Sequence, residues 1–433
     1  MEYFQCIFTA EQVSPEAIAE VVNATPCRVT QNMNEALLAS YTNEEIKKAL
    51  FQMHPSKSPG PDGMSPFFNQ KYWDIVNEDV CLAVRNLLEK GEMWPDSNYT
   101  ISPKVVANRL KCWLPEIVSP LQSAYVPGRL ISDNTLVATE ATHFMHKLKY
   151  QEAGFFSLKL DISKAYDRLD WSFIHAMLTN EGLSALISQA VHQHNIQGLT
   201  MCPQAPTLHH LFFADDSILF GSATTTECMQ YRRILNTYER ASGQKVNFQK
   251  SSVVFSNNVS EEQQQELAAI LEVQCVKEHD KYLGLPMRVG RSKSAIFAYI
   301  KERLTKKLVS WKAKILSAAG KEILIKAVAQ TMPLYAMNCY LLPKGLCDEI
   351  HQLCTSFFWG DIDDKKKIHW RSWEKLCLTK AEGGMGFKNI YAYNLAMLGK
   401  QGWRLISNPH SLIAKLYKAK YYPMPIVPFG KQT

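Results

Sequence analysis

"HHLFFADDSILFGS", residues 209–222, sets two adjacent carboxylates, Asp215 and Asp216, between the apolar runs Phe212-Phe213-Ala214 and Ile218-Leu219-Phe220. Short apolar runs joined through turn-forming residues predict a β-hairpin with the Asp pair at its turn. Burying one unpaired carboxylate is costly, and burying two neighbours is worse. Either the turn is solvated and the pair idle, or something positive comes to meet it. Successive strand side chains face opposite ways, so only one of the pair needs to be a full ligand. Asp215 is the expected one, with Asp216 assisting.

Upstream, "FFSLKLDISKAYDRLDW" (155–171) alternates Phe156, Leu158 and Leu160 with Ser157, Lys159 and Asp161, a period of two that predicts a strand ending in an Asp. If this strand and the hairpin share a sheet, Asp161, Asp215 and Asp216 converge. Three carboxylates at one spot repel unless a divalent cation is present. Mg²⁺ is the expected guest, with Mn²⁺ as a substitute, because hard cations take carboxylates together with substrate phosphates. Two such ions suit in-line displacement at phosphorus, the chemistry of nucleotide polymerisation.

Elsewhere the chain is helical and loop-rich. "TNEEIKKALFQM" opens with a capping box, Thr42 to Glu45, and "SKSPGPDGMSP" (56–66) is a constrained loop. "VVANRLKCWLPEIV" predicts an amphipathic helix, and another is expected from about Thr135 to Lys149. Asp167 and Asp170 are expected to be structural carboxylates at a turn and a helix start. The last 140 or so residues read as mostly helical, without internal repeats.

A net charge of +7 says little alone, but residues 291–326 hold ten Lys or Arg against Glu302 and Glu322, a local excess of +8. Ile296, Tyr299, Ile300, Leu304, Leu308, Trp311 and Ile315 recur there near helical spacing, which turns Lys301, Lys306, Lys307, Lys312 and Lys314 largely outward. That face is either simply solvated or tracks phosphates. Eleven scattered Cys, with no C-x-x-C pair, indicate neither zinc ribbon nor disulfide framework and suggest a reducing compartment. With no signal peptide and no long apolar run, the chain is expected to be soluble and intracellular, in nucleus or cytoplasm, with no membrane partner.

"LKLDISKAYDRLDW" resembles the first catalytic block of the reverse transcriptases of plant LINE-type (non-LTR) retrotransposons, and "LFFADDSILF" their Phe-Ala-Asp-Asp block. "KSPGPDG", "VVANRLK", "QSAYVPGRLISDN", "SGQKVNFQKS" and "KYLGLP" are similar to that family's ordered landmarks, and the likeness runs from about Glu44 to the C-terminus. It implies an α/β fold of the right-hand polymerase type: fingers and a palm with an antiparallel sheet over 44–288, a basic helical thumb over 289–345, and a helical region over 346–433, behind an N-terminal remnant, 1–43. It implies an RNA-directed DNA polymerase using Mg²⁺ and deoxynucleotides on an RNA template and DNA primer; no protein partner is evident. Asp161, Asp215 and Asp216 would bind metal, and Lys250 would protonate the departing pyrophosphate. Tyr282, Leu283 and Gly284 would form the primer-grip turn, and Lys57 and Arg129 would lie near the template or incoming nucleotide.

The chain departs from the family pattern twice. Only Lys104 remains where a longer fingers segment normally clamps the triphosphate, and Asn180 joins directly to Glu181 where an Arg-Gln-Gly-Asp-Pro-type turn is normally inserted. Internal deletion near 103 and 180 leaves the expectation of a weak or inactive polymerase. The alternatives are a non-catalytic nucleic-acid-binding remnant and no function at all.

Overall fold

The computed structural model describes residues 13–26, 28–59, 63–92, 101–149, 153–163, 169–170, 172–173, 182–290, 292–311, 316–360 and 367–423. They divide into two compact units. One holds the described residues within 1–129, 166–189 and 236–244; the other holds those within 130–165, 190–235 and 245–433.

The first unit is helical: α1 (Pro15–Ala24), α2 (Gln31–Leu38), α3 (Asn43–Phe51), α4 (Pro66–Lys71), α5 (Trp73–Arg85) and α6 (Ile101–Ile117). The capping box forms as expected, Thr42 and Glu45 each holding the other's backbone N–H. Ile46 and Leu50 of α3 pack with Trp73, Ile101 and Val105 into a small apolar core. Arg109 of α6 closes it, pairing with Glu45 at 2.9 Å while its guanidinium lies 3.7 Å above the Tyr41 ring. That bond holds the Glu45 carboxyl down at about 2. Helix α6 starts upstream of the expected one and crosses the 103–104 junction without a break, with Pro103 in its first turn, where a missing N–H costs nothing.

The second unit is built on a mixed sheet. In chain order it comprises α7 (Ile131–Lys147), β1 (Phe155–Leu160), β2 (Ile162–Ser163), α8 (Gly182–His192), β3 (His210–Phe213), β4 (Asp216–Ser222), α9 (Thr225–Ser242), β5 (Lys245–Val246), β6 (Ser252–Phe255), α10 (Glu261–Leu271) and β7 (Gln274–Cys275). The parts of α8 and α9 beyond 190–235 belong to the first unit. The five strands run β3-β4-β1-β6-β7, and β2 and β5 form a separate ribbon. Every pairing is antiparallel except the outermost, β6 with β7, so the expected antiparallel sheet becomes a mixed one at that edge. The reason is the crossover: α10 carries the chain from the end of β6 back to the start of β7, and such a return enforces parallel pairing.

Helices α11 (Lys293–Ser310), α12 (Ala318–Leu324), α13 (Leu334–Cys339), α14 (Lys344–Trp359), α15 (Trp373–Cys377), α16 (Ile390–Ser407) and α17 (Leu412–Tyr421) follow. On α11 the buried stripe is Phe297, Ile300, Leu304 and Leu308. Ile296, Tyr299 and Trp311 only border this core, because Phe297 completes the i, i+3, i+4 spacing better than its neighbour does. No helix among the described residues is long and apolar enough to cross a membrane.

Candidate functional site at the head of the sheet

Strand β1 is paired on both sides, so its register fixes the site. Leu160 lies opposite Ser217, and one further step brings Asp161 level with Asp216, the first residue of β4. Phe213 pairs with Asp216, which leaves Ala214 and Asp215 as a two-residue hairpin turn. Ala214 takes φ +54°, as such tight turns require. The hairpin and the Asp-terminated strand are thus sheet neighbours, and all three Asp stand at one end of the sheet. Asp215 is exposed at the turn, while Asp161 and Asp216 are half-buried.

Asp161 is fixed through its backbone. Its N–H donates to Ser251 Oγ (3.1 Å), and its carbonyl accepts from Asn247 N–H (2.8 Å). Asn247 also caps the loop that follows, its side chain accepting from Lys250 N–H at 3.2 Å. "NFQKS" is therefore docked against Asp161, and it carries Lys250, whose side chain is exposed.

The face of β1 bearing Ser157, Lys159 and Asp161 receives a second segment. His279 lies across it: Nε2 donates to Ser157 O (3.0 Å) and Nδ1 accepts from Ser252 Oγ (2.9 Å). Burial holds this imidazole neutral, pushed down to about 4. Two residues on, Lys159 Nζ donates to Lys281 O at 2.8 Å. Next comes the turn 282–285, closed by a reciprocal pair of bonds between Tyr282 and Leu285 (2.8 and 3.0 Å). Leu283 (φ +51°) and Gly284 (φ +79°) are both left-handed, the geometry of a type I′ turn. Tyr282 is buried, and Asn134 of α7 stands 3.5 Å from its hydroxyl while donating to Phe212 O at 2.9 Å.

The charges of the other two carboxylates act on Asp216. Burial raises the Asp216 carboxyl; Lys159 pulls it back, and the charges of Asp215 and Asp161 add to the rise. The field of Asp216 also reaches Tyr282 and Tyr335, both raised chiefly by burial, Tyr335 to about 12. Among the described residues no three Asp, Glu, His or Cys side chains are gathered tightly enough to hold a metal ion. The donor set nonetheless suits a hard divalent cation: three carboxylates, one of them already strained toward its neutral form.

The other expected site residues are carried by other elements. Lys57 is exposed in the turn after α3. Arg129 is half-buried and donates to the carbonyls of Pro115, Val118, Ser119 and Gln122, so it organises the loop after α6. Lys306 and Lys307 are exposed on α11, and Lys312 and Lys314 lie outside the described residues. One charge of the excess is met from outside the segment, Lys301 pairing with Glu349 at 2.9 Å, while Lys326 pairs within it with Glu322 at 2.7 Å. Asp170 caps the backbone of Ser172 and Phe173, the structural role expected of it, whereas Asp167 and the 180–181 junction lie outside the described residues. Sequence reading missed Asn134 and His279. Neither sits in a motif that marks its long-range partner; only the strand's polar face, Ser157-Lys159-Asp161, hinted that something packs there.

No family model matches the chain. It is 36% identical over 138 residues, 32% of its own length, to an Arabidopsis thaliana protein named as a ribonuclease H, of which the match covers 22%. It is 41% identical over 93 residues, 21% of the chain, to an uncharacterized Arabidopsis thaliana mitochondrial protein, of which 60% is covered. Over 89% of its length it is 24% identical to the uncharacterized 149 kDa protein of transposon TX1 from Xenopus laevis, covering 34% of that protein. The chain thus spans less than two thirds of each of these relatives, and the likeness that takes in nearly all of it is to a transposon protein.

Proposed function

We propose that the chain derives from the reverse transcriptase of a LINE-type retrotransposon and retains the polymerase's carboxylate site with little or no activity. The observation that carries this is the register at the head of the sheet, where Asp161 comes level with Asp216 beside the Asp215 turn. The Lys250 loop and the Tyr282–Leu285 turn are tied by hydrogen bonds to the same strand. The breadth of the similarity to the TX1 transposon protein is the second support.

In this function Asp161, Asp215 and Asp216 would hold Mg²⁺. The bound cation would supply charge neutralisation of the phosphates and a more acidic primer hydroxyl. The protein's own groups do the rest. The Asn247–Ser251 loop keeps Asp161 in register and presents the Lys250 ammonium where pyrophosphate would depart. The type I′ turn holds the primer end through backbone alone, since Tyr282 is buried. Asn134 braces that turn from α7.

Impairment has its own support. The alignment with the TX1 protein runs over 463 positions, more than the 433 residues of the whole chain, although it takes in only 89% of them. It must therefore open gaps opposite this chain, in keeping with lost segments. The test is primer extension on a primed RNA template with Mg²⁺ and deoxynucleotides. Trace extension that disappears in Asp215→Asn supports the proposal; no extension even after the missing segments are restored refutes it. The second reading, a non-catalytic nucleic-acid-binding remnant, is favoured by the exposed Lys306 and Lys307 of α11.

A further inference from the structure

Helix α16 of the second unit turns polar groups inward and apolar ones outward. Asn394 is wholly buried: its amide donates to Met337 O (2.8 Å) and Tyr340 O (3.0 Å), and its carbonyl oxygen accepts from Leu342 N–H (2.8 Å). Gln401 donates to Asn338 Oδ1 at 3.4 Å, and Arg404 pairs with Asp133 of α7. On the opposite side Leu395, Trp403 and Ile406 are 47%, 71% and 64% exposed. Ala392, Ala396, Gly399 and Gly402, also exposed, fill the gaps between them. At 3.6 residues per turn these seven fall within an arc of about 120° that contains no charge. An apolar stripe of that width ordinarily faces a core.

The two glycines have no cause within the chain. Glycine inside a helix is costly relative to alanine, and it suits places where another backbone comes close. Here nothing of the chain's own does: a Cβ on Gly399 or Gly402 would meet no atom within 4 Å. The stripe is also its own complement. Reversed about Gly399, it sets Ala392 against Ile406, Leu395 against Trp403, Ala396 against Gly402, and Gly399 against itself. Antiparallel helices oppose their dipoles favourably, and an uncharged stripe brings no like charges face to face.

We propose that α16 is a self-association surface, on which a second copy of this chain crosses antiparallel at Gly399. The stripe exposes on the order of 500 Å², toward the upper end for the largest patch of an ordinary monomer. Covering it on both copies removes about 1,000 Å², the lower limit for a specific interface, so the dimer is a weak one, in the micromolar range. The proposal makes no use of the carboxylate site, and failed primer extension does not bear on it.

The test is sedimentation equilibrium of the full chain, freed of nucleic acid, over roughly 1–100 µM. The mass should rise from one chain toward two. Trp403→Ala should weaken the dimer about tenfold or more, as expected of a central tryptophan. Gly399→Leu has open space in its own chain, so it should abolish association and leave the helix content by circular dichroism unchanged. Leu395→Glu and Trp403→Lys should each abolish the dimer, while the two together in one chain should partly restore it. Only the antiparallel register brings each new carboxylate to the other copy's new ammonium; within one helix they stand two turns apart. A monomer at every concentration overturns the proposal, including one that sediments with phosphatidylcholine vesicles, which would give the stripe to a lipid surface. A dimer unchanged by Trp403→Ala and Gly399→Leu overturns it too, because it is held elsewhere. Loss in both single charge variants without recovery in the double overturns the antiparallel crossing.

Discussion

Asp216 is the residue at which cost and purpose meet. Burial raises its carboxyl above the ordinary 3.8, so the folded state is penalised for the charge at neutral pH. The sign follows from linkage: the unfolded chain gives up this proton more readily, so the penalty is full above the folded value and vanishes below 3.8. Asp216→Asn should therefore raise the melting temperature at pH 7, and the gain should shrink as pH falls toward 3.8. Melting curves at pH 7 and pH 4.5 check this; a gain independent of pH would mean the carboxylate is not strained. Mg²⁺ should stabilise the native chain by mass action and stabilise Asp161→Asn or Asp215→Asn much less. Equal shifts in all three proteins would place the cation elsewhere.

At the scale of elements, the segment from His279 to Leu285 shows how a site is held by neutral groups. Three imidazoles, the buried His210 and His279 and the half-buried His209, are all pushed down by burial, His209 and His279 to about 4. Each resists protonation in the folded state, so stability is lost as pH falls from about 6.5 toward 4. Replacing His279 by Asn should flatten that decline by about one proton, roughly 1.4 kcal/mol per pH unit, and loosen the turn it anchors. Denaturant titrations at pH 7 and pH 5 read the difference. In the turn itself, Gly284→Ala should cost about 1 kcal/mol, whereas Leu283→Asn should cost little, because Asn tolerates a positive φ that Leu does not. The strand, the hairpin and the capping box were legible in the sequence because each is a local pattern: a period of two, a turn between apolar runs, a Thr three residues before a Glu. Not legible were the partners of His279, Asn134 or Arg109, joined to their targets across 122, 78 and 64 positions. Nor was the parallel edge strand, two exposed residues whose direction is set by the helix before it rather than by their own side chains.

For the molecule as a whole, the question is whether a correctly registered sheet suffices for polymerisation. On the proposed reading it does not, because the groups that would seat the triphosphate and the templating base are missing. Helix α6 runs unbroken through the 103–104 junction, so no clamp is inserted there, and Arg129 is committed to four backbone carbonyls rather than presented to a phosphate. Misplacement of reacting groups by about 1 Å can already lower a rate on the order of a hundredfold. Purified protein should accordingly extend a primed RNA template at no more than a trace level, while still binding the template. Binding should weaken with salt, with Lys306→Gln and Lys307→Gln together lowering the log–log slope by about 1.4–1.8 if each lysine meets one phosphate. Restoring the two missing segments from a complete relative should raise extension, and Asp215→Asn should abolish the gain. Robust extension by the unaltered chain, lost in Asp215→Asn, would show instead that the head of this sheet orients triphosphate without the usual clamp. The search would then turn to Lys159, two residues before Asp161 on β1, and to Lys250, in the loop hydrogen-bonded to Asp161.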